Sequence, residues 1–218
     1  MDSMSYILFI CVAAPLLLML LPIEKQSRKV VLFMLIGMFC CLFVSEVNGL
    51  ILRFSDLSLL YFTTNITPVT EEIVKALPVL FFAIVFSDNK KDIITASFSV
   101  GVGFAILENL IILTQNFRDV NIWFALARGF CSGLMHSICT MAIGYFIVFI
   151  RKKKKIFITG SLSALNIAII YHSVFNLLVQ SDSQTTQHIG LLIPFLTYAI
   201  LNAAFIINKR NKNPVSKK

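Results

Sequence analysis

A bundle of apolar helices embedded in a membrane, all-α and polytopic, is the fold class this sequence predicts, and three observations predict it. Of its 218 residues 57% are hydrophobic and only 14% are charged, with a mean hydropathy of +0.84, whereas an ordinary soluble domain is about 25% charged. Apolar runs between polar punctuation reach about 20 residues, the length that crosses ~30 Å of hydrocarbon. These runs are continuous, not alternating, so each segment must close its own backbone hydrogen bonds, as a helix does. Water-soluble classes are excluded, and residues 1–218 are expected to form a single integral membrane domain.

Seven spans are expected, in order, at 5–22, 30–52, 68–87, 93–114, 123–150, 156–180 and 189–208. The first comes after Met-Asp-Ser-Met-Ser with no basic stretch before it, so it reads as a retained span and not as a cleaved leader. Lys25, Arg28 and Lys29 separate it from the second. Pro68 marks the start of the third and Pro78 is expected to kink it, opening a cavity beneath the acids that precede it. The fourth begins after Lys90 and Lys91, and Gly101 and Gly103 on it invite close approach by another helix. The fifth carries a small-xxx-small pair, Gly129 and Gly133, and ends at Arg151 with Lys152, Lys153, Lys154 and Lys155. Lys209, Arg210, Lys212, Lys217 and Lys218 in the segment 209–218 come after the seventh. All of these basic residues fall on one side of the seven-span topology, against only Arg53 and Arg118 on the other. The positive-inside rule then places the N-terminus outside and the C-terminus in the cytoplasm. A net charge of +8 distributed this way is a membrane-orienting charge, and nucleic acid is not an expected partner. Cys11, Cys40, Cys41, Cys131 and Cys139 lie within apolar runs, in no zinc-finger spacing, and read as packing residues.

An ionisable side chain inside a span costs at least a few kcal/mol, so each one is a candidate functional residue. Helices three to six carry Glu71, Glu72 and Lys75; Glu108 and Asn109; Arg128 and His136; His172 and Asn176. Counted from helix centres, Glu71 and Glu72 sit about 10 Å toward the outside and Glu108 and His172 about 6 Å, with His136 between that level and the midplane. Four helices of alternating direction thus deliver their polar groups to one outer-half layer, as a shared site requires. Within helices, Glu71 and Lys75 share a face, as do His172 and Asn176, whereas Glu71 and Glu72 diverge by about 100°. Lys75 can neutralise one carboxylate. The other, beside two histidines, is suited either to ligate a metal or to act as a base on water, since histidine and glutamate are ligands zinc takes with an open position for water. The chemistry indicated is peptide hydrolysis, without an HExxH motif.

Four motifs carry a resemblance to a known family: Glu71-Glu72-Ile73-Val74-Lys75; GFAILEN from Gly103 to Asn109; Arg128 followed by His136; and His172-Ser173-Val174-Phe175-Asn176. In this order and spacing the chain resembles the PrsW intramembrane proteases, which are related to the prenyl-protein (CAAX) and bacteriocin-processing membrane proteases. The likeness runs over 68–180, the expected catalytic core. It implies proteolysis within the membrane, with the paired glutamates, Glu108 and the two histidines as the functional set. It also implies membrane-anchored protein substrates such as anti-sigma factors. Prenyl proteases usually have histidine where this chain has Glu108, which favours PrsW, and Asn176 stands where many PrsW-like proteins have aspartate.

The expected roles are Glu71 or Glu72 as general base, and Glu108, His136 and His172 holding a metal ion, zinc, or orienting the water directly. Asn176 would stabilise the oxyanion, and Lys75, Arg128 and Asn109 would serve as ion-pair and structural partners. Against this stand blander readings. The two glutamates and Lys75 suit the interfacial start of a helix, either histidine alone suits an interhelical hydrogen bond, and Arg128 suits snorkelling to the outer surface. Alternatives of other classes are a non-catalytic seven-helix scaffold or substrate-binding protein, a CAAX-type prenyl protease, and a proton or ion transporter using the same acids.

Overall fold

The computed structural model describes residues 3–118 and 120–212 and is all-helical, with no strand among them. Seven helical rods result: α1 Ser3–Met19, α2 Lys25–Arg53, α3 over 59–86, α4 Lys90–Gln115, α5 Ile122–Ile150, α6 Lys154–Val179 and α7 Gln184–Lys212. Five of them, α2, α4, α5, α6 and α7, are long and apolar enough to cross a membrane. Of the other two, α1 has only 17 residues, and α3 is interrupted by π turns and carries Glu71, Glu72 and Lys75. Asn89 caps α4 by accepting from Lys91 N at 2.9 Å, and Asn121 caps α5 by accepting from Phe124 N at 2.9 Å. Residues 213–218, the end of the basic tail with Lys217 and Lys218, lie outside the described residues.

The largest departure from the expected spans is in α3, which begins at Leu59 and not at Pro68. Pro68 marks the expected start, because proline suits the first turn of a helix. In an unbroken α-helix the Pro68 ring would collide with the carbonyl of Thr64 and leave a hydrogen bond unmade. A π turn over Phe62–Ile66 widens the backbone there, so the helix runs through the proline. Pro78, further along, withholds the N–H that Val74 O would have accepted; the Cys40 thiol of α2 lies 3.8 Å from that carbonyl. A second π turn, Phe82–Phe86, ends the rod. A cavity of about 360 Å³ opens near that end, lined by Ala83, Asp88, Arg151, Lys152 and Phe157, on the far side of Pro78 from the glutamates.

The bundle is arranged around α4, which packs between α2 and α5, while α3 leans against α2, α4, α5 and α6. Glycines permit the closest crossings. A Cβ on Gly37 would run into Val100 O and one on Gly103 into Met34 O, locking α2 to α4; a Cβ on Gly101 would meet His136 O and Ser137 Cα of α5. A Cβ added at Gly129 or Gly133 would meet nothing within 4 Å among the described residues, so the small-xxx-small pair on α5 marks no close helix crossing there. Two apolar clusters fill the interior. One joins α3, α4 and α5 through Val79, Ile93, Val100, Met135 and Ile143, the other α1, α2 and α4 through Ala13, Met38, Val44, Phe104 and Leu107. At the α1–α2 contact Tyr6 Oη donates to Glu46 Oε1 at 2.5 Å, an interhelical bond that accounts for Glu46.

Polarity is inverted relative to a soluble protein. Phe39, Phe81, Ile84, Ile170 and Leu196 are all at least 59% exposed, while Glu72 and Lys75 are fully enclosed at 0%. An outside of this kind is compatible with hydrocarbon and not with water. The glycine crossings yield the first testable expectation: Gly101→Val and Gly103→Val each overpack a helix contact and lower unfolding stability in detergent by about 1–3 kcal/mol. Gly129→Ala and Gly133→Ala change it by less than about 0.5 kcal/mol in the same thermal denaturation series.

Candidate metal centre

The polar residues of α3 to α6 meet in one buried cluster. Glu71 and Glu72 occupy successive positions on α3 and so leave the helix about 100° apart, which sends them to different partners. Glu72 Oε1 accepts from Lys75 Nζ at 2.7 Å, one turn along the same helix, and lies 2.8 Å from His172 Nδ1 on α6. Lys75 therefore neutralises Glu72, at spacing i,i+3, and not the Glu71 that shares its face at i,i+4. Glu71 Oε2 has no hydrogen-bond partner among the described residues, although it is buried.

That unpartnered oxygen faces both histidines, 3.8 Å from His136 Nδ1 and 3.9 Å from His172 Nε2. The two imidazoles stand edge to face with centroids 4.9 Å apart. Ligating atoms of Glu71, His136 and His172 all lie within 4.8 Å of one another, close enough to hold one metal ion. The donor set fits: carboxylate oxygen and imidazole nitrogen are the ligands of catalytic zinc sites, three from the protein with a further position open.

Each histidine is oriented through its other nitrogen. His172 Nδ1 is engaged by Glu72, and His136 Nε2 lies 3.0 Å from Glu108 Oε2. Carboxylates on the far nitrogen fix ring orientation and tautomer in metal sites. Glu108, expected among the metal ligands, is thus placed behind His136, and Glu71, expected as a possible base, takes its place in the converging set. Glu108 is otherwise held by α5: Arg128 donates to Oε2 at 2.7 Å and Ser132 at 3.5 Å. A π turn over Ala127–Ser132 precedes His136 on that helix. Arg128 accordingly forms an ion pair inside the bundle and does not snorkel. Asn109 Nδ2 donates across helices to Arg128 O at 3.0 Å.

Asn176, expected at the oxyanion, donates instead to Thr63 O in the first π turn of α3, at 3.0 Å. It ties α6 to α3 one turn beyond His172. Cys139 packs: its thiol lies 3.6 Å from Ala168 O. Two contributors escaped the sequence reading. Phe104 lies beneath Lys75, its ring centroid 4.6 Å from Nζ, and Ser132 joins Arg128 and His136 on Glu108. Phe104 was detectable, since it sits four residues before Glu108 in the GFAILEN stretch and so on the same helix face. Exposure is confined to one flank: the side chains of Glu108 and Arg128 are each 21% exposed, against 5% or less for Glu71, Glu72, Lys75 and both histidines.

Helical rods with an apolar exterior around a buried carboxylate–imidazole cluster define a multi-pass membrane protein with a centre of the metallohydrolase type. The sequence model of the PrsW family intramembrane metalloproteases matches residues 25–205, more than four-fifths of the chain. The chain belongs to that family, and is accordingly an intramembrane protease acting on protein substrates. The match reaches beyond the motif-bearing stretch 68–180 to include α2 and most of α7. No curated protein and no solved structure matched the chain. Family membership favours hydrolysis over the scaffold and transporter alternatives.

The ion pair at the centre of the cluster sets a stability expectation. Glu72→Ala strands the Lys75 ammonium in an enclosed site and costs about 3–5 kcal/mol of unfolding free energy. The double variant Glu72→Leu with Lys75→Met removes both charges together and recovers most of that loss, as denaturant unfolding in detergent would measure.

Proposed function

We propose that this protein is a zinc-dependent intramembrane endopeptidase that cleaves a membrane-anchored protein near the outer leaflet. The observation that carries the proposal is the convergence of Glu71 Oε2, His136 Nδ1 and His172 Nε2 on one buried point, with an unpartnered carboxylate oxygen among them. Those three residues would hold the ion, which supplies Lewis acidity and makes a water easier to deprotonate.

The remaining residues divide the work by position. Glu108 borders the one exposed flank, and its hydrogen bonds to Arg128, Ser132 and His136 all end on Oε2. Its Oε1 would take a proton from the attacking water and return it to the leaving amine. Arg128 keeps Glu108 in position and ionised. Glu72 orients His172 and Glu108 orients His136, so each ring presents its near nitrogen as an acceptor. Asn176 positions α6 against α3 through Thr63 O, and the enclosed walls limit water to the Glu108 side. A single-span regulator of the anti-sigma kind is the substrate class that the resemblance implies. Seven crossings with the N-terminus outside, as the basic loops indicate, put the cluster in the outer half of the bilayer.

Two experiments test this. In proteoliposomes with a membrane-anchored reporter, Glu108→Gln should lower kcat by about 100-fold or more with zinc retained, while Glu71→Gln and His172→Ala should lose both zinc and cleavage. Wild-type cleavage by Glu71→Gln, or activity unaffected by exhaustive chelation, would exclude the proposed centre. For sidedness, a fluorescent protein fused after Lys218 should fluoresce in the cytoplasm and alkaline phosphatase inserted after Phe54 should be active outside; the reverse pattern would invert the topology.

A further inference from the structure

His136 Nδ1, one of the three converging ligand atoms, already has a partner. Lys75 Nζ lies 3.0 Å from it, 2.7 Å from Glu72 Oε1, and over the Phe104 ring. An ammonium can only donate, so Nδ1 accepts and the ring proton sits on Nε2, donated to Glu108. A neutral imidazole has one lone pair free for bonding, directed outward in the ring plane. The N–H of Lys75 and a metal ion cannot use it together.

The charges around the cluster point the same way. Three carboxylates, Glu71, Glu72 and Glu108, face two fixed cations, Lys75 and Arg128, and Glu71 is the one without an ion-pair partner at hydrogen-bond distance. Room for one more cation therefore exists, but it overlaps the atom that Lys75 occupies. Lys75 has somewhere to go, because Glu72 lies on its own helix three residues away and can keep the ammonium when His136 is given up.

We propose that Lys75 is a built-in competitor for the metal ion, holding His136 Nδ1 in the metal-free protein and withdrawing onto Glu72 alone when a divalent cation binds. Loading is then an exchange of one cation for another inside the bundle, and Lys75 sets the metal concentration at which the centre fills. The proposal rests on Glu71, His136 and His172 being the ligand set.

The test is a metal-binding measurement independent of proteolysis. The purified full chain in detergent is stripped with a chelator and titrated with zinc against a fluorescent zinc indicator. Removing the competing state raises apparent affinity by the inverse of the metal-competent fraction, so Lys75→Met and Lys75→Gln should each bind zinc about tenfold or more tighter than wild type. Lys75→Gln carries the test should the methionine variant fail to elute as a folded species. Lys29→Met removes an equal charge at the ion pair with Asp92, which lies sixteen residues, about 24 Å, along α4 from Glu108, and its affinity should stay within about threefold of wild type. Lysine variants at position 75 that bind no tighter than wild type, or a Lys29→Met gain as large as theirs, overturn the exchange while leaving the ligand set in place. Full-stoichiometry zinc binding by His172→Ala overturns the ligand set itself, and the exchange with it.

Discussion

Charge survives inside a bilayer only where opposite charge and hydrogen bonds surround it, and the ion pair between Lys75 and Glu72 is the most deeply enclosed case, joined through Nζ and Oε1. Neither side chain retains any exposed surface. Around the pair, His172 and His136 take the remaining hydrogen-bonding directions of Glu72 Oε1 and Lys75 Nζ, linking α3 to α5 and α6. The cluster is therefore a structural knot as well as a candidate site, and its geometry follows from electrostatic necessity before any question of catalysis arises.

One consequence is that the unsatisfied groups become informative. Most buried polar atoms in a folded protein find partners, and in hydrocarbon the cost of failing to do so is higher still. Glu71 Oε2 fails, as do Glu72 Oε2, Asn109 Oδ1 and Arg128 Nε nearby, but Glu71 Oε2 alone of these faces both imidazoles, 3.8 Å from His136 Nδ1 and 3.9 Å from His172 Nε2. Glu108 and Glu72 serve the far nitrogens of the same rings. Glu71, with no ion-pair partner at hydrogen-bond distance and flanked by two oriented histidines, completes a donor set that could hold a metal ion.

Backbone irregularities position this arrangement. The π turn at Phe62–Ile66 carries the helix past Pro68, and Asn176 bonds the Thr63 carbonyl within it, fixing the heights of α3 and α6 relative to each other. The π turn at Ala127–Ser132 contains Arg128 and precedes His136, residues that both reach Glu108 from α5. π turns recur near functional sites because they rotate the downstream residues about the axis without ending the helix, and both of these adjoin residues of the cluster. Glycine crossings at Gly37, Gly101 and Gly103 bring α2 and α5 against α4, which supplies Glu108.

The sequence was sufficient for the membrane setting, the helical class, the approximate rods and the identity of the polar residues, because hydropathy and helical periodicity are local properties of the chain. The 3.6-residue repeat even placed Glu71 and Glu72 on different faces and four helices' acids and imidazoles at one height. It did not assign partners. Lys75 chose Glu72 over Glu71, Glu108 went behind His136 and not beside it, and Asn176 turned to a carbonyl, because the rotation of each helix about its axis is decided by packing against its neighbours. Likewise Pro68 signals a helix start in the sequence, whereas α3 begins earlier and runs through it, with the polarity of Thr63, Thr64 and Asn65 absorbed by carbonyls of their own turn and by Gln180. Height and face are written along one helix; which atoms meet between helices depends on the rotation of all of them together, and that only the folded bundle decides.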